Sequence, residues 1–400
     1  MRKAILAIVL VALLLWFAMW IGALLMRDAV RSGSESEWPL GLGTLSEANA
    51  RYPPAPMSPA AARLVAAAEP LGIDLAPRTR TDVLKSEPRP MEFVRRQLDG
   101  WVRAQLRIAS PQIDPLPAES GEYLAGRAGD LAAVSALLRS NDPVVWPQDV
   151  RDPSSPLPNL LGHMQLQRVL IARAFDRSRV GDSGAWDDLH AAWILARSLA
   201  SRSELISVLT SLAMGRRADA AARKLPLPYP PWLEEMQSFD YRRAVIAAYQ
   251  LDARNVHDAI YAETSVDGSP LFRRALDSVM SPYTRMSASD LTEERRRTAI
   301  AIAAMRQCDF PGLAPSPAWW NLPARAISTP NIDVMWQRVL RLTAEREATL
   351  RALQLLDGAP PIPKSMCTDG EWIYSEDGFR FSRNITDPGT EAIPLEFHER

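Results

Sequence analysis

Side chains that do redox or metal chemistry are scarce in this chain of 400 residues, which carries two cysteines and four histidines. Cys308 and Cys367 have no CxxC partner and no neighbouring histidine, so neither a zinc site nor a thioredoxin-type motif can be assembled around them. His163, His190, His257 and His398 each sit on a separate segment. Also missing are GxGxxG, P-loop, GxSxG, HExxH and EF-hand patterns, and with them the commonest routes to a dinucleotide, a bound phosphate, a serine nucleophile, zinc or calcium. No cofactor and no metal is expected. The formal net charge of -1, from 46 basic and 47 acidic residues, excludes a globally basic nucleic-acid binder. Lysine is rare beside arginine and asparagine is sparse, a bias typical of GC-rich bacterial coding sequence.

What the chain does have is one long apolar run. Ala4 to Met26 contains no charge and no proline, and about 20 such residues in a helix span the hydrocarbon core of a bilayer. The rival is a cleaved signal peptide behind Arg2 and Lys3. Its apolar core would run only about 7 to 15 residues and end in a small-x-small site, where this run is longer and places Trp20. Residues 1–26 are therefore read as a cytoplasmic leader and membrane anchor. Arg2, Lys3 and the amino terminus precede the span and Arg27 and Arg31 follow it; a short positive leader stays cytoplasmic, which puts the bulk of the chain in the periplasm, anchored in a bacterial inner membrane through residues 4–26.

Residues 27–57 lack periodicity and are rich in Ser, Gly and Pro, which reads as a linker. From Ser58, with Pro59 in the first turn, helical signals take over through residue 357. Predicted helices include Gly121 to Arg139, Leu160 to Arg177, Ala185 to Leu199, Glu204 to Lys224, Trp232 to Glu263, Leu271 to Val279, Asp290 to Cys308 and Ile332 to Leu356. Proline-rich segments such as Pro226 to Pro231 and Phe310 to Pro317 stop them. Asp290 with Glu293 reads as a capping arrangement. In the tail, residues 358–400, Trp372, Tyr374, Phe379 and Phe381 alternate about Asp377-Gly378, a β-hairpin signal. The fold class is thus mainly α: a transmembrane helix, stacked α-α hairpins and a small C-terminal β-hairpin. In an oxidising compartment Cys308 and Cys367 can form one disulfide, worth about 2 to 4 kcal/mol; the alternative is two unpaired buried thiols.

Leu166, Val169, Leu170 and Ala174, then Gly181-Asp182, then Leu189, Ala192, Trp193, Ala196 and Leu199, place apolar residues at three- and four-residue steps on two consecutive helices. This unit is similar to the helix-turn-helix of tetratricopeptide arrays, although no 34-residue period repeats along the chain. With Arg173-Ala174, Gly181-Asp182, Asp188-Leu189, Leu195-Ala196-Arg197 and Leu205-Ile206, the middle third resembles a group of uncharacterised, membrane-anchored helical proteins of bacterial envelopes. That resemblance implies architecture and transfers no catalytic position.

Few residues offer chemistry. Asp187 and His190 share a helix face and could orient an imidazole, but a structural histidine beside a carboxylate is the more economical reading. His257-Asp258 near Glu263 lacks the second histidine a metal site would need. Glu234-Glu235 and Glu293-Glu294 fit first turns of helices, where negative charge favours the dipole, and Arg295-Arg296-Arg297 reads as solvated surface. Trp319-Trp320 stands apart. Adjacent indoles in a proline-rich stretch cannot both be buried easily, so one is expected to face a ligand, a membrane surface or a partner. The chain therefore reads as a non-enzymatic envelope component that binds or scaffolds another envelope protein through Trp319 and Trp320. The alternative is an envelope hydrolase of glycan or peptide whose acidic residues or histidine converge from separate helices.

Overall fold

In a computed structural model of the chain, the described residues are 2–34, 37–78, 92–150, 152, 155–202, 204–261, 271–304, 317–322, 325, 332–360, 362, 364–365, 370–382, 385 and 393–399. The uncharged run at the amino terminus, with nothing to break it, forms α1, Arg2–Ser34. Then follow α2 (Ala48–Arg51), α3 (Pro59–Ala68), α4 (Glu92–Arg107), α5 (Ala118–Gly126), α6 (Ala128–Leu138), α7 (Leu160–Arg179), α8 (Ala185–Ala200), α9 (Leu205–Ala222), α10 (Trp232–Ser238), α11 (Tyr241–Tyr261), α12 (Leu271–Ala304) and α13 (Ile332–Leu356). Three short strands close the chain: β1 (Trp372–Ser375), β2 (Gly378–Phe381) and β3 (Glu396–His398). The chain is mainly α with a small antiparallel sheet, as its periodicity predicts. The sheet gains a third strand beyond the expected hairpin, because the exposed edge of β2 pairs with β3, Phe379 opposite Phe397.

The chain divides into two compact units. The first comprises residues 1–51, 246–304 and 311–333. Within it α1 packs along α12. Ile8–Leu25 has a mean hydropathy of 2.7, and of its 18 residues only Ala23 is buried. An apolar helix left this bare in water would expose far more contiguous hydrocarbon than soluble proteins tolerate, and its length fits a membrane crossing. Beyond α1, Trp38, Leu42, Leu45 and Ala48 are buried, so the segment read as a linker carries an apolar cluster of its own. Gln250 on α11 ties it down by donating to the carbonyls of Gly43 and Thr44 at 3.2 and 3.0 Å.

The second unit comprises residues 52–245, 305–310 and 334–400. Its core is built on three consecutive helices, α7 against α8 and α8 against α9. Ser58 caps α3 as expected, accepting from the Ala61 amide at 3.1 Å with Pro59 in the first turn. Gly181 takes φ +74 to turn the chain between α7 and α8, a conformation that favours glycine. Leu166, Leu170, Ala174, Leu189, Ala192 and Ala196 are all fully buried, the faces their spacing predicts.

Four predicted helices have other bounds. Gly121 to Arg139 is two helices, because Arg127 leaves helical geometry at φ -116, ψ 16 between α5 and α6. Trp232 to Glu263 is also two: Phe239 is extended, and Asp240 Oδ1 accepts from the Arg243 amide to start α11 afresh. Conversely, the segments predicted from Leu271 and from Asp290 are one helix, α12, which runs through Pro282. Asp290 is therefore no cap but an interior helical residue, and its carboxylate serves the turn described below.

Candidate functional site

The histidines take structural places. His163 is fully buried on α7, its Nδ1 2.8 Å from the Asn159 carbonyl and its ring edge-to-face with Trp146, 4.6 Å between centroids. Burial, chiefly, lowers its pKa to about 4, with help from the Arg202 charge, so it is neutral at neutral pH. His190 receives no orienting carboxylate, since Asp187 turns to Arg139 at 2.8 Å. Its imidazole instead lies flat on Trp232, 4.4 Å between centroids and 5° apart. Burial lowers its pKa to about 4, and the Arg139 and Arg197 charges add to the effect. His398 is exposed. The side chains of His257 and Asp258 and all of Glu263, Cys308 and Cys367 lie outside the described residues. Among the described residues no cluster of three or more His, Cys, Asp or Glu is placed to hold a metal.

Around His190 the second unit forms an aromatic shelf. Trp193 lies 6.2 Å from Trp232 and within 14° of parallel, and Trp186 meets Trp232 edge-on at 6.0 Å. The Arg197 guanidinium sits 4.8 Å from the Trp193 ring centre. Trp186 and Trp193 are buried, whereas His190 and Trp232 reach the surface. Two ion pairs flank the shelf, Arg139 with Asp187 and Arg197 with Glu235. Glu235 thus does more than satisfy a helix dipole.

The feature that sequence reading missed is a charged interior. On α9 and the turn that follows it, Arg216, Arg217, Asp219, Arg223 and Lys224 are all at least nine-tenths buried. Arg216 forms a two-pronged pair with Glu345 of α13, at 2.7 and 2.6 Å, and Arg341 donates to the same carboxylate at 3.0 Å. Arg223 donates to Thr349 Oγ1 at 2.9 Å and to the Glu345 and Pro394 carbonyls at 2.7 and 2.8 Å. Lys224 donates to the Ser110 and Gln112 carbonyls; burial, reinforced by Arg223, lowers its pKa to about 8. The two cations line a small hollow of about 10 Å³ with Leu106, Ile108, Ser110 and Phe397. Asp219 is pushed up to about 6 by burial against the opposing pull of Arg346, Arg223 and a Gln237 hydrogen bond. The sequence conceals this, because Arg216, Arg217 and Asp219 fall on one half of the α9 circumference, as the residues of a solvated face would.

The α7–α8 hairpin is stapled in the same manner. Arg177 holds Asp182 at 2.7 Å and Asp188 at 3.1 Å, and Arg173 reaches Asp188 at 3.3 Å. Asp188 is buried, which raises its carboxyl against the pull of both arginines. The Gly181-Asp182 turn that suggested a tetratricopeptide-like unit, and Asp188 beyond it, are thus joined by ion pairs.

In the first unit the charged run is less solvated than expected. Arg295 is buried, paired with Asp252 and Glu294 at 2.8 Å each. Glu294 lies in mid-helix and is buried rather than in a first turn, and burial raises its pKa. Trp319 and Trp320 sit on a turn fixed to α12. Asp290 Oδ2 accepts from the Ala318 amide at 2.9 Å and from Asn321 Nδ2 at 2.8 Å. Asn321, fully buried, also donates to the Ser287 carbonyl at 2.9 Å and accepts from the Ser287 hydroxyl at 2.6 Å. Trp320 meets Tyr283 edge-on at 6.4 Å. Trp319 is left 80% exposed and Leu322 69%. The two indoles are divided as the sequence predicts, one packed and one presented. No protein-family model matches the chain, and comparison with curated proteins and with solved structures gives no match.

Proposed function

We propose that the chain is a single-span protein of a bacterial inner membrane, held by α1, whose periplasmic helical part binds another envelope protein. The anchoring rests on one observation: Ile8–Leu25 is continuous apolar helix with Ala23 alone buried. The short Arg2-Lys3 leader supports a cytoplasmic amino terminus. Binding is supported by the aromatic shelf. Tryptophan and arginine dominate binding hot spots, where a large ring is already held in place before the partner arrives. Trp232 and His190 are so held by stacking, and Arg197 and Glu235 rim them with charge.

Two measurements test the reading. Alkaline phosphatase, which is active only after export, is fused to the carboxyl terminus of the full chain; activity is expected, and its absence with a stably expressed fusion overturns the orientation. In-cell cross-linking of the tagged full chain, followed by solubilisation and mass spectrometry, is expected to recover one recurrent envelope protein, lost in Trp232→Ala. Recovery that survives Trp232→Ala removes the shelf from the interface, and recovery of the bait alone at normal abundance refutes a stable partner.

A further inference from the structure

The turn that presents Trp319 is tied to the same stretch of α12 that touches α1, and this fixes its depth. A side chain on Gly22 of α1 would meet Met286 Sδ at 3.4 Å. Ser287, the next residue of α12, exchanges hydrogen bonds with Asn321. Tyr283 and Asp290, one turn to either side, hold Trp320 and Ala318. Gly22 lies three residues before the end of Ile8–Leu25, about 4.5 Å along a helix axis. With α1 crossing a bilayer, the 318–322 turn therefore stands at the level where hydrocarbon gives way to headgroups. That zone is where tryptophan concentrates, because its ring is apolar and its N–H can stay wet.

We propose that Trp319 and Leu322 insert into the interfacial zone of the membrane that α1 spans, making a second, side-on attachment of the first unit to lipid. The occupant of this exposed pair is the bilayer surface. Leu322, beside Trp319 at 69% exposure, adds hydrocarbon where a protein-free surface would ordinarily be polar. Four residues of fixed hydrogen bonding hold the turn rigid, so little ordering cost remains to be met on insertion. The inference rests on the anchoring of α1 and adds a contact that anchoring alone does not require.

The test uses the full chain in vesicles of phosphatidylethanolamine and phosphatidylglycerol. An environment-sensitive fluorescent amino acid replaces Leu14, Ser46 or Trp319, one position at a time. Leu14 reports the anchor, and exposed Ser46 is the aqueous control in the same unit. Nitroxide lipids labelled near the headgroup or near the end of the acyl chain serve as quenchers. The expected result is a blue-shifted probe at 319 that loses most of its emission to the shallow nitroxide and less to the deep one. Probe 14 should follow the deep quencher, and probe 46 should be quenched by neither. A quenched probe 14 with an unshifted, iodide-accessible probe 319 overturns the insertion while leaving the anchor intact. An unquenched probe 14 overturns the anchor, and the insertion with it. Each replaced side chain is exposed, so the folded state does not depend on it.

Discussion

Removing the carboxylate of Glu345 is the sharpest test of the charged interior. Glu345 is fully buried, accepts two bonds from Arg216 and one from Arg341, and both arginines are at least nine-tenths buried themselves. Glu345→Gln keeps the shape but leaves two guanidinium groups in the core facing a neutral amide, one of whose prongs now donates instead of accepts. Breaking a buried pair from one side costs about 3 to 5 kcal/mol, because the remaining charge stays desolvated. For a unit of this size each kcal/mol shifts the melting temperature by about 2 to 4 °C. A fall of roughly 10 °C is therefore expected, read by circular dichroism on the full chain in detergent micelles. Arg216→Met alone should cost less, since Arg341 still partners Glu345. The triple variant Arg216→Met, Arg341→Met, Glu345→Met should recover part of the loss, as apolar side chains of similar bulk can replace a buried ion triad at little cost. A Glu345→Gln protein within about 1 kcal/mol of the parent would refute the reasoning, because these charges would then have to be hydrated or mobile.

Two titrations should oppose one another. His163 is lowered to about 4, below an unfolded value near 6.5, so its contribution is complete above about pH 6.5 and is lost as pH falls toward 4, about 3 kcal/mol in all. Asp219 is raised to about 6, above an unfolded value near 3.8, so its contribution is present at low pH and lost as pH rises through about 6. Thermal melts across this window should show a shallower acid limb in His163→Gln and a steeper one in Asp219→Asn; a pair of curves parallel to the parent would contradict both assignments. Gly162→Ala should destabilise by about 1 to 3 kcal/mol in denaturant titrations, since the added methyl would overlap the Asp74 carbonyl oxygen in a packed interior. Trp319→Ala should leave stability within about 0.5 kcal/mol of the parent, given 80% exposure, and a larger loss would mean that the side chain is covered.

The parts of this fold that could be read from sequence are those governed by local rules. The uncharged span, the Ser58-Pro59 helix start, the α7–α8 spacing and the Asp377-Gly378 turn each declare themselves within a dozen residues. The third strand could not be anticipated from Glu396 to His398, because it exists only through pairing with β2. Helix ends failed where a tertiary partner overrode the local signal. The helix expected to end at Val279 continues through Pro282 as α12, which packs on α1. Asp290 and Glu293 read as a cap, yet Asp290 is recruited by the 318–322 turn. The unequal exposure of Trp319 and Trp320 was legible because neighbouring rings in a turn compete for the same cover. The shelf was not, since Trp186, His190 and Trp193 lie on α8 but Trp232 arrives from α10. Nor could the charged interior be seen, as Arg216 and Glu345 are 129 residues apart.

The packing of α1 on α12 bears on how a water-soluble version of this protein could be obtained. Deleting an apolar amino-terminal helix is a usual shortcut to a water-soluble product. Here that cut would uncover Met286, which lies against Gly22, and would lay bare the strip of α12 that packs on α1. The trimmed product should self-associate through that strip rather than stay monomeric, and a detergent-solubilised intact chain is the better starting material.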